Sequence, residues 1–251
     1  MPRIFYASFM VVALAVFLLT RWLIPRPPAL RMLPWWERAA LAAAAFIGGA
    51  LGSKLPFVGT DPIGWLDLGT WLQDGKTIVA ALIGAYLAVE LTKWILDVRV
   101  KTGDTFALPL ALALAIGRWG CFFNGCCYGV ATTLPWGVTF RVKTAAGYQL
   151  QRCHPTQIYE SLFHFMMALV LWQLMSRGLF VGQRLKIYLV AYGVYRFLTE
   201  YIRPEPAWWL GLTFYQWAAA ALAAGMIAQW IAENRARPLT AAVVAEVRPA
   251  P

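Results

Sequence analysis

Seven apolar runs, most of them close to 20 residues long, decide what this chain can fold into. They fall at 4–24, 36–54, 78–96, 105–120, 156–175, 184–202 and 208–232. A helix needs about 20 apolar residues to cross a bilayer. Inside hydrocarbon the backbone must satisfy its own hydrogen bonds, which leaves only helices or closed barrels. The pattern predicts an all-α, polytopic membrane protein with about seven transmembrane helices. The run at 105–120 is short and ends in glycine, so a partial or tilted helix is expected there. The chain is 60% hydrophobic and only 14% charged, and a soluble domain that apolar would lack a solvating surface.

The N-terminus has Arg3 before a long apolar run but no small-residue cleavage site after it, so an uncleaved first span is expected. The net charge of +10 is scattered between the apolar runs. Nucleic-acid proteins gather such charge on one face, so no nucleic-acid partner is expected. Arg21, Arg26, Arg31, Arg38, Lys93, Arg99, Lys101, Arg177, Arg184 and Lys186 fall in alternate connections, and Arg235, Arg237 and Arg248 fall in the tail. Asp61, Asp67, Asp74 and Glu205 fall in the others. The positive-inside rule then puts the N-terminus outside and the C-terminus in the cytoplasm. The outer fourth connection, with Arg141, Lys143 and Arg152, is an exception. Trp35, Trp36, Trp65, Trp71, Trp208 and Trp209 mark span ends. Residues 1–234 read as one transmembrane helical domain. Residues 235–251, rich in Ala, Pro and Arg, read as a disordered cytoplasmic tail. Small residues from Ala39 to Gly52, and the alanines of the last run, predict close helix contact.

Three stretches place ionisable groups at bilayer depth, where charge is costly and marks function. Tyr192, Arg196, Glu200 and Arg203 follow an i, i+4, i+8, i+11 spacing, which puts them on one helix face. Glu200 can pair with either arginine. The structural reading is a packing network. The functional reading is a guanidinium free to clamp a phosphate with two donors. Arg118 lies between Gly117 and Gly120, glycines that let backbone approach a ligand or a neighbouring helix. Asn124 and Gly125 then make a turn, and Gly129 follows. His154 stands before Pro155, a helix-start signal, with Gln157, Tyr159 and Glu160 close behind. His164 reads as a packing residue or a helix contact.

Cys121, Cys126, Cys127 and Cys153 all fall on the outer side, where disulfides form. A bridge from Cys126 or Cys127 to Cys153 is one reading. A catalytic thiol is another. The C-x4-C-C spacing matches no zinc ribbon or redox pair, so a metal site is the weaker reading. Gly75-Lys76-Thr77 lacks the glycine spacing and the strand of a phosphate loop. Asp104 is placed to cap the fourth span.

At these residues the chain resembles the prolipoprotein diacylglyceryl transferase family. Gly117 to Cys126 reads G-R-W-G-C-F-F-N-G-C against a family pattern G-R-x-G-N-F-x-N-G-E. His154 to Glu160 matches H-P-S-Q-L-Y-E, and Tyr192 to Glu205 matches Y-G-x-x-R-x-x-x-E-x-x-R-x-P-D with Glu205 for Asp. Thr213 and Gln216 echo a family G-x-S/T-x-x-Q segment. The resemblance implies seven spans in the bacterial inner membrane and two partners, phosphatidylglycerol and a prolipoprotein signal peptide. The diacylglyceryl group would pass to the lipobox cysteine thiol, and glycerol 1-phosphate would leave. Arg118 and Arg196 would stabilise the departing phosphate. Arg203 with Glu200 would hold the site or bind the headgroup, Tyr192, Asn124 and Gly129 would shape it, and Gln157 and Glu160 would take part in substrate binding. The resemblance implies no metal or organic cofactor. The family histidine that assists the thiol falls at Val79, which cannot move a proton, and leaves His154 or Tyr192 for that role. A same-fold transferase with a different acceptor, and a catalytically inactive phospholipid-binding protein, stay open as rivals.

Overall fold

The computed structural model describes the backbone of residues 2–25, 27–58, 77–144 and 147–246, and their side chains except at 2–3, 29, 57–58 and 236–246. Asp61, Asp67, Asp74, Trp65, Trp71, Gly75 and Lys76 lie outside the described residues. The helices are α1 (Pro2–Leu23), α2 (Pro28–Arg31), α3 (Trp35–Val58), α4 (Ile78–Ile95), α5 (Asp104–Asn124), α6 (Thr156–Ser176), α7 (Arg184–Thr199) and α8 (Phe214–Glu246). A 3-10 turn, Glu200–Ile202, follows α7. Strands β1 (Val138–Thr144) and β2 (Gly147–Cys153) form an antiparallel hairpin between α5 and α6. An all-α reading did not include it. Helix α8 is described to Glu246, into the segment expected to be a tail.

Five helices are long and apolar enough to cross a membrane: α1, α3, α4, α5 and α6. Helix α5 is a full 21 residues, not the short run expected. It continues past Gly120 because Gly117 and Gly120 sit against α1. A Cβ on Gly117 would meet Met10 Cε at 3.2 Å, and one on Gly120 would meet Phe9 Cβ at 3.1 Å. These glycines therefore serve helix packing. Gly125, with φ of 68°, ends the helix in the left-handed conformation that favours glycine. Helix α7 is only 16 residues and buries Arg184, Lys186 and Arg196, so its sequence is too polar to read as lipid-facing on all sides.

The described chain divides into two compact units, Pro25–Thr102 and the remainder. In the first, α3 packs on α4. A Cβ on Gly48, Gly52 or Gly84 would collide with backbone of the opposite helix, so the expected close contact is present. In the second, α1 packs on α5, α5 on α6, and α7 on α8. Phe9 stacks on Phe123 with centroids 5.4 Å apart. Gly193 of α7 lies against the alanines of α8, and a Cβ there would meet Ala219 O at 2.8 Å and Ala223 Cβ at 3.1 Å.

Asp104 does not cap its own helix. Its carboxylate accepts hydrogen bonds from Gly182 N at 2.5 Å and Arg184 N at 2.9 Å, and so caps the start of α7. Lys186 and Gln183 both donate to Glu233 of α8. These contacts fix α7 at its entry, one turn before Tyr188 and two before Tyr192, the tyrosines that face α6.

Because Gly193 has no room for a side chain, Gly193→Leu is expected to destabilise the α7–α8 pair by about 1–3 kcal/mol. Thermal unfolding of the detergent-solubilised protein measures this. Leu198→Ala at an exposed position serves as the control.

Candidate functional site

Glu160 lies at the centre of the second unit. Helix α6 presents Gln157, Glu160, Ser161, His164, Ala168 and Leu171 on one buried face, at the three- and four-residue spacing of a helix stripe. Ser161 Oγ donates to Ala115 O at 2.8 Å, which locks that face onto α5. The Glu160 carboxylate is 1% exposed and takes four neighbours. Oε1 accepts from Arg118 Nη2 at 2.6 Å and from Tyr192 OH at 2.7 Å. Oε2 accepts from Arg203 Nη2 at 3.2 Å. His164 Nε2 stands 3.8 Å from Oε1.

One turn along α7 from Tyr192, Arg196 pairs with Glu200 at 2.9 Å. Its guanidinium also lies 5.6 Å from the centre of the Tyr215 ring. Glu200 Oε1 accepts from Thr213 Oγ1 at 3.2 Å. Thr213 and Gln216 cap α8 reciprocally: Thr213 N donates to Gln216 Oε1 at 2.9 Å, and Gln216 N donates to Thr213 Oγ1 at 3.2 Å. The cap at α8 thus supplies the hydroxyl that holds Glu200.

The one-face expectation for Tyr192, Arg196, Glu200 and Arg203 needs correction. Helix α7 stops at Thr199, and Arg203 follows the 3-10 turn in extended backbone. That exit carries the Arg203 side chain onto Glu160, while its backbone N–H donates to Glu200 O at 3.0 Å. The structure therefore unites Arg118, Glu160, Tyr192 and Arg203 directly, with Arg196 and Glu200 one turn on.

Three arginines (Arg118, Arg196 and Arg203) meet two carboxylates (Glu160 and Glu200), which leaves an excess of one positive charge. Arg118 Nε, Arg196 Nη1 and Arg203 Nε are buried and have no hydrogen-bond partner among the described residues. Buried donors are normally paired. Unmatched donors on excess positive charge are groups that an anion would satisfy.

His154 stands apart from this network. Its Nδ1 is 3.3 Å from Tyr159 OH, which also accepts from Trp136 Nε1 at 2.8 Å. Among the described residues no hydrogen bond or ion pair joins His154 to Glu160 or the three arginines. Tyr192 spends its hydroxyl proton on Glu160. Gly129 is a packing position, where a Cβ would meet Ile202 O at 2.6 Å and His154 Cβ at 2.8 Å. Gln157 Nε2 donates to Cys126 O at 2.5 Å, and Asn124 is exposed on the last turn of α5.

His164 makes a helix contact: fully buried beside Glu160, its Nδ1 lies 2.8 Å from Tyr188 OH on α7. Its i+4 relation to Glu160 is the sequence signal that places it there.

The four cysteines are free, so neither Cys126 nor Cys127 bridges Cys153. Cys153 is buried at the end of β2 and its Sγ points to Gln151 O at 3.7 Å. The sulfur atoms of Cys121, Cys126 and Cys127 instead lie within 4.8 Å of one another. Hydrogen bonds from the Cys121 and Cys126 thiols hold the Cys127 thiol well below its ordinary pKa, with Arg118 and Arg203 contributing. Burial pushes the Cys153 thiol up.

These features define a membrane-type helical protein with a buried, net-cationic site built from α5, α6, α7 and the segment after it. The family model described as prolipoprotein diacylglyceryl transferase matches residues 3–232. The chain belongs to that family. A phosphatidylglycerol–prolipoprotein diacylglyceryl transferase of Clostridium tetani is 37% identical over 173 residues, 66% of this chain and 68% of the relative. Two from Streptomyces coelicolor are 39% and 40% identical, covering 68% and 82% of this chain and 53% and 63% of their own lengths.

Two outcomes follow. Glu160→Gln leaves buried guanidinium charge uncompensated and is expected to cost about 3–5 kcal/mol, read by unfolding in detergent. Iodoacetamide at neutral pH, with a chelator present, is expected to label exposed Cys127 well before buried Cys153. A depressed thiol pKa gives more thiolate below the ordinary thiol range, so the preference shrinks as pH rises through that range. Peptide mapping reads the ratio.

Proposed function

We propose that this chain moves the diacylglyceryl group of phosphatidylglycerol onto the cysteine thiol of a prolipoprotein, in the bacterial cytoplasmic membrane. Family membership supports the reaction class. The observation that carries the site is the excess guanidinium charge with three unmatched buried donors around Glu160 and Glu200. In this reading α7 and α8 join the five apolar helices as the sixth and seventh spans. The N-terminus is outside and the site lies toward the outer leaflet.

The chemistry is displacement at the glyceryl carbon that bears the phosphate. The acceptor thiol gives up its proton, its sulfur forms a bond to that carbon, and the carbon–oxygen bond breaks with its electrons passing to the phosphate. Glycerol 1-phosphate leaves. A phosphodiester carries one negative charge, and the departing monoester gains a second. Donors on Arg118, Arg196 and Arg203 therefore bind the transition state more strongly than the bound lipid, which is what accelerates a reaction. A guanidinium suits this role because it stays charged and offers several donors in one plane. Glu160 and Tyr192 position Arg118 and Arg203, and Glu200 positions Arg196. His164 Nε2, buried without a hydrogen-bond partner beside Glu160, is a better-placed proton acceptor than His154.

A second reading keeps the lipid donor and changes the acceptor. It is favoured by Val79 at the family histidine position and by Cys121 and Cys126 at the family asparagine and glutamate positions.

Transfer of labelled diacylglycerol from phosphatidylglycerol to a lipobox peptide tests the proposal. Arg118→Ala and Arg196→Ala are each expected to lower the rate about 10²–10³-fold, the usual effect of removing a transition-state donor. Wild-type rates in folded variants would reject the site. Lipid consumption without peptide labelling would move the assignment to the second reading. Lipid binding without turnover would leave a phospholipid-binding protein.

A further inference from the structure

We propose that Cys121, Cys126 and Cys127 form a binding site for one Zn2+ ion, and that its open fourth position takes the acceptor thiol. The three residues reach one point from two directions. Cys121 lies on the last turn of α5, and Gly125, in the left-handed conformation, reverses the chain. Cys127, a non-glycine residue, adopts φ of 61°. Such backbone costs energy and persists where surrounding contacts hold it. Here α6 holds it: Thr156 Oγ1 donates to Cys127 O at 2.6 Å and Gln157 Nε2 donates to Cys126 O at 2.5 Å. The turn is pinned from both sides with its three sulfur atoms facing one another.

The sulfurs lie within 4.8 Å of each other. Thiolates around tetrahedral zinc, at about 2.3 Å from the metal, are about 3.8 Å apart. A closure of about 1 Å or less therefore converts the group into a three-thiolate site. A disulfide would use only two of the three sulfurs. Thiolates favour thiophilic d10 ions such as Zn2+ over hard cations. Three thiolates and Zn2+ carry one negative charge, and Arg118 Nη1 stands 4.0 Å from Cys121 Sγ to offset it. No other His, Cys, Asp or Glu among the described residues joins the group. Zinc with three protein ligands keeps a fourth position for water or substrate, and exposed Cys127 leaves the cluster reachable.

A thiol bound there loses its proton to water, because the metal stabilises the thiolate, and so does not need the His164 acceptor that an unbound thiol would use. The sulfur lone pair then forms the bond to the glyceryl carbon, as the carbon–oxygen bond breaks toward the phosphate held by the arginines. The thioether product is neutral and a poorer ligand, so it dissociates. This half of the proposal rests on the transferase reading. The metal site does not.

The experiment uses the full chain in detergent micelles. Zn2+ content after dialysis is expected at one equivalent. It should fall at least tenfold in Cys121→Ser, Cys126→Ser and Cys127→Ser, and stay at one in Cys153→Ser. Co2+ added to chelator-treated wild type should give sulfur-to-metal charge-transfer absorption, which needs no variant to fold. A cysteine-containing lipobox peptide should shift that spectrum, and its serine analogue should not. Zinc content unaffected by the cysteine changes, absent charge transfer, or a mass 2 Da low with two thiols oxidised overturns the metal site. A cobalt spectrum indifferent to the cysteine peptide overturns the thiol role and leaves the metal site standing. Peptide transfer without metal at full rate does the same. Failed transfer with intact metal and thiol binding overturns the transferase reading alone.

Discussion

One buried carboxylate organises the second unit. Glu160 receives a guanidinium from α5, a phenol from α7 and a guanidinium from the segment beyond α7. In a poorly polarisable interior each of these charges is costly alone and tolerable together. The register of α6 against its neighbours is therefore tightly held: a slip of one residue would turn Glu160 away and strand two arginines. Ser161 on Ala115 O and His164 on Tyr188 add polar contacts along the same face. Apolar packing alone would constrain that face much less, since lipid competes equally well for apolar side chains.

The same arrangement bears on the proposed anion site. Three arginines without carboxylates could not be buried together. Three with three carboxylates would have nothing left to offer. Two carboxylates neutralise enough to permit folding and leave one charge and several donors unspent. Glu160 also holds Arg118 and Arg203 through single N–H groups, so other donors on each fork stay free. The ion pairs position the guanidiniums without consuming them.

Much of this was legible in the chain. Arg118, Glu160, Tyr192, Arg196, Glu200 and Arg203 stood out because charge at bilayer depth needs a reason. The pairing was not legible. Helical spacing joins Glu200 to either arginine, but α7 ends one residue before Glu200, and the extended exit sends Arg203 to another helix. Pro204 is the local signal for a helix end and extended backbone at Arg203, but it does not say which carboxylate the exit then meets. His154 was weighted above His164 because it sits in a motif, whereas burial and proximity to Glu160 favour His164. The hairpin left a trace in the alternation of Thr139 to Lys143, and its basic residues find local partners: Arg152 donates to Pro135 O and Gly137 O, and Arg141 stacks over Tyr148. The cysteine spacing matched no metal motif because a helix end and a left-handed turn, not a ribbon, bring the sulfurs together.

The cysteine turn and the arginine site share one scaffold. Thr156 and Gln157 hold the carbonyls of Cys127 and Cys126, and Glu160 follows within a turn of the same helix. Arg118 touches both groups, Glu160 through Nη2 and Cys121 through Nη1. A shift at the start of α6 would therefore displace the sulfurs and the guanidiniums together. Displacement at carbon needs nucleophile and leaving group in line, and small misplacements cost large factors in rate. In the proposed transfer, anchoring the sulfur-bearing turn and the donors of Arg118 and Arg203 to the first turns of one helix, with Arg118 spanning both, would keep such a line without a cage around the substrate.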